Sequence, residues 1–87
     1  MEISVWDTFV KRADNKIMHF DILVPSDFKN QKEIIKYGTQ YLNTKNFETS
    51  EISTKKCSFC HIEKATDKTI SAIKKYGFDI VELENCN

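Results

Sequence analysis

Glu2-Ile3-Ser4-Val5-Trp6-Asp7-Thr8-Phe9-Val10 and Lys16-Ile17-Met18-His19-Phe20-Asp21-Ile22-Leu23-Val24 decide the fold. Both runs are rich in β-branched and aromatic residues that alternate with polar ones, the pattern of strands. Between them stands Ala13-Asp14-Asn15-Lys16, and Asp and Asn both tolerate the left-handed backbone that a tight turn requires. The pair therefore predicts a hairpin. With Asp14-Asn15 as a two-residue loop, Ala13 pairs with Lys16, Phe9 with Phe20, Asp7 with Ile22 and Val5 with Val24. One face then carries Ile3, Val5, Asp7, Phe9, Met18, Phe20, Ile22 and Val24. The other carries Trp6, Thr8, Val10, His19, Asp21 and Leu23. Asp7 is the one anomaly on the apolar face. A slip of one residue would mix the two sets.

Outward from the hairpin, Val24-Pro25-Ser26 ends the second strand. Asn30-x-x-Glu33 resembles a capping box and opens a helix over Gln31 to Asn43, with Ile34, Ile35, Gly38, Tyr41 and Leu42 at helical spacing. Gly38 in that stripe predicts close approach of helix to sheet, since Gly otherwise costs about 1 kcal/mol against Ala. Thr44 to Lys56 is polar and irregular, anchored by Phe47 and Ile52. Ser58 to Glu63 reads as a third strand. Thr66 caps a second helix whose apolar positions are Ile70, Ile73 and Tyr76, ended by Gly77. Phe78 to Leu83 is a last strand.

The order is ββαβαβ, within a single domain over residues 1–87. Right-handed crossovers would set the last three strands parallel. The expectation is an α+β two-layer sandwich, with a mixed four-stranded sheet and both helices on one face. The face bearing Trp6, His19, Asp21 and Leu23 is then uncovered, and it must be solvated, bind a ligand or form a dimer. Asp7 joins these candidates, either as a satisfied buried acid or as a perturbed carboxylate in a pocket.

Thirteen basic and thirteen acidic side chains cancel. A nucleic-acid binder carries a clustered basic excess, so no nucleic-acid partner is expected. No apolar run is long enough to span a bilayer, and Met1-Glu2-Ile3-Ser4 lacks the basic and apolar regions of a signal peptide. These features predict a cytoplasmic protein whose three cysteines are free thiols or metal thiolates.

Cys57-Ser58-Phe59-Cys60-His61 packs two thiols and an imidazole into five residues. Buried structural cysteines are the simplest reading. A zinc site is the second: Cys57, Cys60 and His61 would converge in a tight turn, with His19 or Cys86 completing four ligands. A redox dithiol needs a helix N-terminus beside it, but the helix starts several residues later. Covalent haem attachment matches the C-x-x-C-H string but requires export. Separately, His19, Asp21, His61 and Glu63 could meet as an acid–base or oxygen/nitrogen metal site if the third strand lies nearby. Alternation alone makes them the polar side of a sheet.

The strings Val5-Trp6-Asp7-Thr8, Met18-His19-Phe20-Asp21-Ile22-Leu23-Val24-Pro25, Tyr37-Gly38, Tyr41-Leu42 and Cys57-Ser-Phe-Cys60-His61-Ile62-Glu63 resemble a small bacterial family, domain of unknown function twenty-twenty-four. The resemblance runs over nearly the whole chain, including Cys86. It departs at the hairpin turn, where the family pattern suggests Asp-Gly in place of Asp14-Asn15. It implies a compact α+β domain and carries over no catalytic residues. The functional expectation is a non-catalytic binding or interaction module, a homodimer through the Trp6/Leu23 face. The alternatives are a zinc protein built on the Cys57/Cys60/His61 cluster and a small enzyme using His19, Asp21 and His61.

Overall fold

The computed structural model describes residues 1–87. Its elements are β1 (Glu2–Lys11), β2 (Ile17–Pro25), α1 (Gln31–Leu42), a 3-10 turn (Thr54–Lys56), β3 (Cys57–Lys64), α2 (Asp67–Tyr76) and β4 (Asp79–Glu84). This is the α+β class and the ββαβαβ order expected from the sequence.

The hairpin register differs from expectation by one residue, and the cause is the loop. Asn15 adopts a left-handed backbone with φ 71°. Arg12 N–H donates to the Lys16 carbonyl at 2.8 Å, and Asn15 N–H donates to the Arg12 carbonyl at 3.0 Å. The loop is thus Ala13-Asp14-Asn15, a β-turn followed by one left-handed residue, the common three-residue hairpin connection. Asp7 now stands opposite Asp21, Trp6 opposite Ile22 and Phe9 opposite His19. The faces re-sort accordingly. Trp6, Val10, Met18, Phe20, Ile22 and Val24 share the main core with Ile34, Leu42, Ile52 and Cys57. Ile3, Val5 and Leu23 turn to the opposite face, the side that also takes Asp7, His19 and Asp21 by strand alternation.

The sheet order is β3-β1-β2-β4, and all three pairings are antiparallel. The expected mixed sheet is corrected here. β3 does run parallel to β2, but α1 carries the chain past β1, which lies between them, and β4, expected parallel to β2, pairs with it antiparallel. The expectation of both helices on one face is corrected too. α1 buries Ile34, Gly38 and Leu42 against the main core, whereas α2 packs through Ile73 onto Ile3, Val5 and Leu23 on the other side. No helix is long and apolar enough to cross a membrane.

Local chemistry explains the helix ends. The Asn30 side chain accepts from Glu33 N–H at 3.2 Å, and Thr66 accepts from Thr69 N–H at 3.2 Å. Gly77, at φ 91°, ends α2 in the left-handed conformation that its lack of a Cβ makes cheap. The C-terminal tail is held rather than frayed. Arg12 donates through Nη1 to the Asn85 and Asn87 carbonyls at 3.0 and 2.8 Å, while its guanidinium lies 3.8 Å above the Phe47 ring centre.

Gly38 has the packing role expected of it. A Cβ there would stand 2.6 Å from Ile52 Cδ1 and 2.9 Å from Ile22 Cδ1, and both neighbours are buried. Overpacking costs roughly 1–3 kcal/mol and outweighs the roughly 1 kcal/mol that Ala gains in a helix. Gly38→Ala should therefore lower stability by about 1 kcal/mol in urea titration. A stabilised variant would mean that the two isoleucines repack freely.

Candidate functional site

Asp7 on β1 and Asp21 on β2 are directly opposed across the central strand pair. Like charges in that position repel, so something must neutralise them. His19 Nε2 lies 2.7 Å from Asp7 Oδ1 and supplies part of the answer. The Phe9 ring stacks on the imidazole at 4.1 Å and 11°, and Glu84 Oε1 stands 3.9 Å from Nδ1. The imidazole is thus held by a hydrogen bond at Nε2 and by stacking on one face, with a carboxylate near Nδ1.

The two carboxylates are driven apart electrostatically. The hydrogen bond from His19 holds Asp7 below its ordinary 3.8, with a smaller contribution from Asp21. Asp21 is pushed up to about 6, first by burial and then by Asp7 beside it. Asp21 Oδ1 is also buried without a hydrogen-bond partner. The ligand atoms of Asp7, His19 and Asp21 all lie within 4.8 Å of one another. Such a set can share a proton or coordinate a cation.

β3 brings the second imidazole to the same face. Val5 opposes His61 and Ile3 opposes Glu63. His61 engages its own strand, with Nε2 2.8 Å from Glu63 Oε1 and Nδ1 3.2 Å from Cys60 Sγ. Its charge still reaches the central cluster and favours ionisation of both Asp7 and Asp21. The sequence-predicted Asp7, His19, Asp21 and His61 therefore share one face.

The cysteines do not converge. Cys57 is fully buried in the main core, where Thr8 Oγ1 donates to its Sγ at 3.5 Å and burial pushes its thiol up. Cys60 is exposed. It is the extra residue where the β1–β3 register shifts, between Val5 opposite His61 and Trp6 opposite Phe59. Cys86 is buried at the tail, its Sγ 3.3 Å from the Glu84 carbonyl and 3.5 Å from the His19 carbonyl. The anticipated Cys57/Cys60/His61 zinc cluster, with His19 or Cys86, is therefore not assembled in this fold.

Trp6 and Leu23 do not share an open face either. Trp6 packs in the core under α1 and Leu23 under α2, at 9% and 5% exposure. The open half of the sheet instead presents Phe9, Ile17 and Val81, exposed by 38%, 47% and 39%.

A family model described as Domain of unknown function (DUF2024) matches residues 1–83. The chain belongs to this family. An NMR structure of protein NE1680 from Nitrosomonas europaea is 38% identical to it over 100% of both chains, with a TM-score of 0.80. No curated protein matches the chain.

Asp7 was the residue that a two-residue loop misplaced. Its signal was present in the sequence as the single acid on an otherwise apolar face, a misfit that the DUF2024 hairpin resolves through the longer loop. The cysteine geometry makes its own prediction. Native protein should react rapidly with a thiol reagent at one site per chain, Cys60, while denatured protein should titrate three. Cys60→Ser should abolish the fast phase, and a fast phase surviving in that variant would show that Cys57 or Cys86 is accessible.

Proposed function

We propose that this DUF2024 chain is a small, non-catalytic binding protein that takes up a divalent first-row cation, zinc foremost, on the open half of its sheet. Asp7, Asp21 and His19 are the ligands. The observation that carries the reading is the mutual approach of their ligand atoms to within 4.8 Å on two adjacent central strands. One imidazole and two carboxylates are a suitable donor set for such ions. A cation entering there displaces the proton between His19 and Asp7 and neutralises the opposed carboxylates. Glu84, beside the far nitrogen, would orient the imidazole.

Uptake should follow the ionisation of Asp21. At pH 5, one unit below the value of about 6, proton competition should weaken zinc binding about tenfold relative to neutral pH. Isothermal titration at pH 5.0 and 7.5 measures this. Asp7→Asn and Asp21→Asn should each weaken binding at least tenfold at pH 7.5. A dissociation constant above about 1 mM for wild-type protein with zinc, manganese and cobalt alike would overturn the proposal.

The same carboxylate carries a stability cost. Asp21 holds its proton more tightly folded, at about 6, than at its ordinary 3.8. Between those values the native state binds more protons than the unfolded one, so stability falls as pH rises through about 6. Asp21→Asn should therefore stabilise the metal-free protein at pH 7.5, by about 1 kcal/mol once solvent screening is allowed for. Thermal melts at pH 4 and pH 7.5 check the sign, because the gain should vanish at the lower pH.

A second reading, homodimerisation, is favoured by the exposed Phe9, Ile17 and Val81 on this half of the sheet. Sedimentation analysis should then show a dimer that Phe9→Glu dissociates. A wild-type monomer at millimolar concentration would sink this reading and leave the cation site standing.

A further inference from the structure

The opposite face holds a second site. Ser4, Trp6, Ser26, Lys29, Phe59 and Ile62 line a cavity of about 270 Å³. Trp6 meets Phe59 edge-on, with ring centres 6.1 Å apart and planes at 73°. Phe59 and Ile62 are 51% and 49% exposed, and they project from β3, an edge strand. In a regular strand, residues at this spacing would point to opposite faces. The bulge at Cys60 cancels that alternation: Phe59 opposes Trp6 and Ile62 opposes Ser4, so both side chains wall the same cavity. The bulge is what builds the site.

The polar groups around this cavity have one sign of need. The Ser4 hydroxyl makes only a long bond, 3.4 Å, to the Ser26 carbonyl. Lys29 stands in none of the molecule's ion pairs. No lining residue is acidic. An apolar slot edged by a free ammonium is complementary to an apolar body ending in an anion.

We propose that this cavity binds a small apolar carboxylic acid, aromatic or short aliphatic. Its body lies between Trp6, Phe59 and Ile62, and its carboxylate is held by Lys29. The site is separate from the Asp7/His19/Asp21 cluster and stands or falls independently of it.

Trp6 is the chain's one tryptophan, so its emission reports the cavity without a label. The probe is phenylacetate, with neutral phenylacetamide as its partner. Phenylacetate should change the emission saturably and bind at least tenfold more tightly than the amide. Lys29→Met should bring phenylacetate down to the amide's affinity while leaving the amide unchanged. Phe59→Ala should weaken both. Lys29 and Phe59 are exposed, and a retained far-ultraviolet spectrum shows that each variant is folded. Three results would overturn the proposal: no saturable change up to about 10 mM, equal affinity for acid and amide, or undiminished phenylacetate binding in Lys29→Met. Emission that shifts with protein concentration alone would assign the cavity to a second copy of the chain and overturn it as well.

Discussion

The β1–β2 register, which the left-handed backbone of Asn15 accommodates, is the constraint on which the rest of the molecule depends. Asn is among the few residues that take this conformation routinely. With it, the loop has three residues and Met18, Phe20, Ile22 and Val24 join Trp6 and Val10 under α1. A two-residue loop would put Trp6 and Val10 on the other face and Asp7 among the core side chains. Burying a large apolar side chain contributes about 1.5–3 kcal/mol, so exposing several of them costs far more than any local preference of the turn. Tertiary packing chooses the loop. The turn is then locked from outside: Ala13 N–H donates to the Glu48 carbonyl at 2.9 Å, and Arg12 gathers the C-terminal tail.

What the sequence made legible was local. Strand and helix positions, the caps at Asn30 and Thr66, the close approach at Gly38 and the stop at Gly77 all follow from side-chain chemistry within a few residues. What it left hidden was relational. Asp14-Asn15 is compatible with loops of two or three residues, and only the packing of distant side chains separates them. The position of β3 beside β1 depends on where α1 delivers the chain. The bulge at Cys60 has no Gly or Pro to announce it, yet it decides which face each of Phe59, His61 and Ile62 occupies. The five-residue thiol–imidazole cluster looked like one site because it is contiguous, and an extended strand with a bulge distributes it between core and solvent.

The candidate sites follow from the same geometry. His19 and Asp21 were visible as alternating polar residues, and His61 and Glu63 as their conditional partners on the third strand. Asp7 was a candidate beside them, but the two-residue loop set it on the other face, and only the observed register puts it directly opposite Asp21. Trp6 changed role for the same reason, from an open contact surface to a buried cavity wall.

The open half of the sheet is a consequence of element lengths. α2 has ten residues and reaches about 15 Å, whereas the ten-residue β1 extends about 33 Å. A helix that short cannot cover the face it packs on. It shields the end bearing Ile3, Val5 and Leu23 and leaves the end bearing Asp7, His19 and Asp21 in contact with solvent. An apolar set there would expose a large patch, but two opposed carboxylates are no ordinary solution to that problem, because they raise the energy of the strand pair that organises the fold. Alternating Ser and Thr would solvate the face without that repulsion. Two features of the structure relieve the repulsion: the His19 imidazole against Asp7, and the raised hold of Asp21 on its own proton.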